Sequence, residues 1–88
     1  MITRDYIILA PQGMHARPAT TLIKLVKNYK SAVTLQRAGK TVRLNSVLNI
    51  LSMTIKGGDT INIVIEGEDE ENAAAAMDIF FTEQLKGL

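Results

Sequence analysis

The chain has 88 residues, 47% of them apolar and 22% charged, a balance that suits one small folded domain. It lacks cysteine and has a single histidine, which excludes disulfides, thiolate metal sites, cysteine nucleophiles and multi-histidine zinc sites. A net charge of +1 gives little drive for nucleic-acid binding. No run is long enough to cross a bilayer or form a signal-peptide core, so a cytoplasmic protein is expected.

Ile2 to Ala10 reads as a strand, with apolar residues on both parities, and Pro11 and Gly13 end it. Ala16 to Asn28 reads as a helix whose apolar face carries Ala19, Leu22, Ile23 and Val26. Ala32 to Arg37 and Lys40 to Leu44 alternate as strands. Between them lies Ala38-Gly39, a two-residue hairpin connection whose glycine can take positive φ. Asn45-Ser46 offers a cap before Val47 to Met53, a helix of about two turns. Gly57-Gly58-Asp59 turns the chain into the clearest strand, Thr60 to Glu66. The acidic run Glu68 to Glu71 suits a helix start, and Asn72 to Leu85 continues it. Its apolar stripe is Ala74, Met77, Phe81 and Leu85, widened by Ala73 and Phe80. This order predicts an α+β open-faced sandwich in a single domain spanning residues 1–88: a four-stranded antiparallel sheet with three helices on one face.

The chemistry concentrates between Pro11 and Pro18, where the only histidine meets the start of a helix. The first amides of a helix have no partner inside it and carry the positive end of its dipole, a ready site for an anion such as phosphate. Pro18 falls in the first turn, where its missing N–H costs little, so the amides of Ala16 and Arg17 remain as donors. Gly13 permits a tight turn just before them. Arg17 adds a guanidinium matched to phosphate oxygens, and neutral His15 is a nucleophile. Taken alone, the spacing also fits an ordinary capping histidine beside a solvated arginine, since histidines near helix ends are common.

The run Gly13-Met14-His15-Ala16-Arg17-Pro18-Ala19 resembles the active-site signature of the HPr family, the histidine-containing phosphocarriers of the bacterial sugar phosphotransferase system. Asn45 to Met53 resembles that family's second signature, and the likeness covers the whole chain. It implies that His15 accepts a phosphoryl group from enzyme I, itself charged by phosphoenolpyruvate, and passes it to sugar-specific IIA domains. Arg17 would be the charge partner, and the amides of Ala16 and Arg17 the phosphate cradle. No cofactor or metal is implied, and the protein would be a monomeric phosphoryl-transfer intermediate more than a stand-alone catalyst.

Ser46 is a good helix N-cap whatever else it does. In many Gram-positive relatives the matching serine is phosphorylated, which would add an HPr kinase/phosphorylase and a transcriptional regulator to the partners. The docking surface implied by the resemblance combines Met14, Thr20, Thr21, Val47, Leu48 and Leu51, ringed by Lys24 and Lys27. Core packing is the bland alternative for Val47 and Leu48, and plain solvated surface for the two lysines. Gln12 stands where relatives more often carry serine or threonine, and Asn49 replaces a common glycine. Two other readings compete. One is a regulatory binding module of carbon or nitrogen metabolism acting through Ser46, which the presence of His15 puts second. The other is a small RNA-binding domain, for which the strands offer only Tyr6 as an aromatic.

Overall fold

Alternating apolar residues place one face of each strand under helices, and the computed structural model, which describes residues 1–88, shows the outcome. Strands β1 (Ile2–Ile7), β2 (Ala32–Arg37), β3 (Lys40–Arg43) and β4 (Thr60–Glu66) form one antiparallel sheet in the order β1-β4-β2-β3. Helices α1 (Ala16–Val26), α2 (Val47–Leu51) and α3 (Glu70–Ile79) cover one side of it, which is the open-faced sandwich expected. Tyr6, Val33, Leu35, Ile61, Ile63 and Ile65 point under the helices, and the register pairs Tyr6 with Ile61 and Leu35 with Ile63. Their strand neighbours Asp5, Thr34, Gln36 and Asn62 lie on the open face, where Asn62 donates to Asp5 at 2.7 Å. The inward residues join a single core of 23 side chains. Each large one contributes about 1.5–3 kcal/mol by leaving water.

The turns carry more than the sequence disclosed. At the β2–β3 hairpin both central residues take positive φ, 50° at Ala38 and 81° at Gly39, as a twisted two-residue turn requires. β1 stops at Ile7, not Ala10. Ile8 still donates to the Asp59 carbonyl at 2.8 Å, but Ala10 then accepts from the Gly13 amide at 2.9 Å and the chain turns away. α1 ends at Val26 and α2 at Leu51, each followed by turns in place of the extra helical residues expected.

The C-terminal helix changes pitch, with regular α geometry to Ile79, a wider π turn over Phe80–Gln84 and a 3₁₀ turn over Leu85–Gly87. Phe80, Phe81 and Leu85, the first two within the π turn, are all fully buried. Phe81 stacks on Tyr6 with ring centroids 4.7 Å apart. The Tyr6 hydroxyl donates to Asp78; burial first, then that bond, push the phenol pKa up.

Acidic side chains crowd the entrance to α3, although none of them bonds to the helix's own first amides. Asp69 accepts from the Ser31 hydroxyl at 2.5 Å and from the amides of Ser31 and Lys30 at 2.9 and 2.8 Å. These bonds, the Ser31 hydroxyl foremost, hold its carboxyl below the ordinary aspartate range. Glu70 accepts from the Gly67 amide and pairs with the N-terminal ammonium at 2.8 Å.

Candidate functional site

His15 is the N-cap of α1, with extended backbone angles of −83° and −171° and no side-chain cap bond. Its carbonyl accepts the first helical hydrogen bond, from Ala19 at 3.1 Å. The imidazole is half-exposed and neither nitrogen is engaged by the protein. The amides of Ala16 and Arg17 have no partner, Pro18 has no N–H, and the first turn holds no acidic residue. Positive dipole density is therefore left uncompensated beside a free nucleophile. Arg17 is exposed and forms no ion pair, so its guanidinium is free to meet an anion brought to His15.

Gly13 sets the approach to the helix. Its φ is +70°, and a Cβ there would lie 2.2 Å from the Ile55 carbonyl oxygen, so no other residue fits without rearrangement. The next amide, Met14, donates to the same carbonyl at 3.2 Å. Gly57 leans against the loop from the other side, where a Cβ would lie 2.6 Å from the Ala10 carbonyl oxygen. Residues 55–57 thus form a backbone wall behind the loop. It is a long-range partner that neither signature revealed; the glycine pair at 57 and 58 was its only trace.

The expected docking residues separate into two groups. Met14 is 4% exposed and belongs to the core, because the turn at Gly13 carries its side chain inward. It does not reach the surface as expected. Thr20 and Thr21 stay at the surface, but their hydroxyls donate to the carbonyls of Ala16 and Arg17, leaving no free donor. Leu48 is 77% exposed, while Val47 and Leu51 are half-buried against the core. Lys24 and Lys27 are exposed. Gln12 is exposed with its amide unengaged.

Ser46 caps α2, accepting from the Asn49 amide at 3.1 Å. Asn49, the residue in place of glycine, bridges back to the Asn45 side chain at 2.8 Å and to the Arg43 carbonyl at 3.4 Å. It therefore pins the turn that carries Ser46. None of the expected site residues lines the larger cavity, about 430 Å³ on the open face of the sheet. Only Lys27 borders the smaller one, about 190 Å³. His15 is half-exposed and lines neither cavity. No helix is long and apolar enough to cross a membrane.

The chain resembles known proteins over most of its length. A phosphocarrier protein HPr of Borreliella burgdorferi is 38% identical over 77 residues, covering 88% of this chain and 90% of its own. That of Lysinibacillus sphaericus is 32% identical over 83 residues, 94% of each chain. Among solved structures, a Mycoplasma histidine-containing phosphocarrier protein superposes with a TM-score of 0.89 at 31% identity, over 96% of both chains. The family model described as the PTS HPr component phosphorylation site matches residues 2–83. The chain belongs to the HPr family of phosphotransferase-system phosphocarriers.

Proposed function

We propose that this chain carries a phosphoryl group on His15, taking it from phosphorylated enzyme I and yielding it to sugar-specific IIA domains in the cytoplasm. The observation that supports this most is the open N-terminus of α1, where the amides of Ala16 and Arg17 stand unpaired below an unengaged imidazole. In the transfer, a ring-nitrogen lone pair of neutral His15 bonds to phosphorus as the donor's bond to phosphorus breaks. The other ring nitrogen keeps its proton. The phosphoryl oxygens then meet the free amides and the Arg17 guanidinium. Helix-terminus effects of about 0.3–2 kcal/mol and charged hydrogen bonds of about 1.5–3 kcal/mol orient the group without making it inert. Return transfer reverses these steps, so no cofactor or metal is needed.

Partners would dock on the surface around His15, over Thr20, Thr21, Leu48 and the exposed edges of Val47 and Leu51. Arg17, Lys24 and Lys27 draw acidic faces toward it. Ser46 is a second modification site in this reading. Its hydroxyl accepts from Asn49 but donates to nothing, and a phosphate on it would add roughly −1.5 to −2 charges beside Leu48, against docking. A regulator acting through Ser46 alone would have no use for the unpaired His15 site.

Incubation with active enzyme I and phosphoenolpyruvate should give an acid-labile, alkali-stable phosphate that is absent from His15→Ala. An unlabelled wild-type protein, beside a known carrier that is labelled, removes the proposal. Intact-mass measurement after treatment with HPr kinase and ATP tests Ser46 separately; an unmodified chain ends the regulatory part alone.

A further inference from the structure

The wall behind the His15 loop lies in neither a helix nor a strand, so something must hold it in place. Residues 52–59 run from the end of α2 to the start of β4, and Thr54 sits at φ 48°, a costly conformation for a β-branched side chain. Such a conformation persists only where its surroundings over-determine it. Internal bonds supply part of the restraint: Asp59 Oδ2 accepts from the Lys56 amide at 2.8 Å, and the Asp59 amide donates to the Lys56 carbonyl at 3.1 Å. The rest comes from β2, the strand paired with β4.

Arg37, the last residue of β2, sends one guanidinium nitrogen to the Met53 carbonyl at 2.9 Å and the other to Asp59 Oδ2 at 2.9 Å. Met53 and Asp59 bracket the wall, so a single planar fork closes both of its ends. The two side chains are only 24% and 27% exposed, which shields the pair from solvent more than an ordinary surface ion pair. Lysine, with one point charge, cannot span both acceptors in this way.

The geometry points to Arg37 and Asp59 as positioning residues for phosphoryl transfer at His15, acting through the Ile55–Gly57 wall on the Gly13–Met14 turn. This rests on the proposed phosphocarrier role. Neither residue touches the reacting atoms. They keep the Ile55 carbonyl against Gly13 and Met14, and so keep the helix amides and the imidazole aimed at one point. Small displacements of such groups are expensive; misplacement by about 1 Å costs up to about a hundredfold in rate.

The test uses Arg37→Met, Arg37→Lys and Asp59→Asn in the full chain, with Lys30→Ala as a control for a more exposed ion pair. Transfer from phosphorylated enzyme I is measured as kcat and KM, and the amide resonances of Gly13, Met14 and Ala16 are followed by NMR. Arg37→Met should lower kcat about tenfold with KM within about twofold, and should shift all three amides. Arg37→Lys, holding Asp59 but not Met53, should recover part of both effects. Lys30→Ala should move neither. Unshifted amides in Arg37→Met and Asp59→Asn, or shifted amides with unchanged kcat, overturn the inference. Should Arg37→Met not fold, Arg37→Lys and Asp59→Asn decide by the same readouts. The amide shifts test the link from Arg37 to the loop even where the wild type takes no phosphate, so failure of the carrier role is seen separately.

Discussion

Two helix N-termini in this protein differ in cap backbone, extended at His15 and not at Asp69, and in the charge set around them. At α3, Asp69 is bound into Ser31 and Lys30, and Glu70 and Glu71 place negative charge in the first turn. At α1 the cap is a histidine with no side-chain bond, the first turn has no acid, and two amides stand free. The first arrangement sets acidic charge against the helix dipole, and the second leaves the dipole uncompensated, as the proposed phosphoryl site requires. A helix start becomes a site when the sequence withholds the residues that would ordinarily fill it.

The most damaging way to break this contrast is to spoil the approach to α1. Gly13→Ala combines a positive φ with a Cβ 2.2 Å from the Ile55 carbonyl oxygen. It should lose about 2–5 kcal/mol of stability, read from urea unfolding. A loss below about 1 kcal/mol would mean that the loop is not pressed against its wall.

Filling the open terminus sharpens the comparison. Ala16→Glu makes α1 resemble α3, and should slow phosphoryl acceptance about five- to thirtyfold while leaving or slightly raising helix stability by about 0.3–1 kcal/mol. Transfer at the wild-type rate would show that the free terminus has no role. Arg17→Ala should also slow transfer, with the unfolding midpoint of the wild type, because its exposed side chain makes no hydrogen bond or ion pair in the protein. Unchanged transfer rates would remove the charge-partner role.

The acidic terminus makes a prediction in pH. The Asp69 pKa lies below its ordinary value of 3.8 in the folded chain, so its contribution to stability is complete above that value. As pH falls through the folded pKa that contribution is lost. Urea midpoints measured from pH 6 downward should decline less steeply in Asp69→Asn than in the wild type. Parallel declines would show that the Ser31 bonds do not set the aspartate's affinity for protons.

Much of this was legible in the chain because the signals are local. The alternation in Thr60–Glu66 and Ala32–Arg37 placed two strands at their observed limits, and Gly13 to Pro18 located His15 at the very start of α1. Three features escaped for physical reasons. Met14 adjoins the site in sequence, but a turn at positive φ sends its side chain into the core. Burial of both Phe80 and Phe81 was legible from the widened stripe, but the π turn that carries them was not, because the apolar spacing does not distinguish it from regular helix. The link from Arg37 through Asp59 to Gly13 joins residues far apart in sequence, and no spacing rule encodes it.

Where the phosphoryl group rests decides whether the open terminus of α1 is the site. Amide NMR of the chain before and after phosphorylation by enzyme I measures this directly. The Ala16 and Arg17 amides should move downfield by the largest amounts in the protein, while those of Glu71 and Asn72 at the acidic terminus stay in place. A phosphorylated chain in which Ala16 and Arg17 do not move would place the group away from the helix terminus and contradict the account.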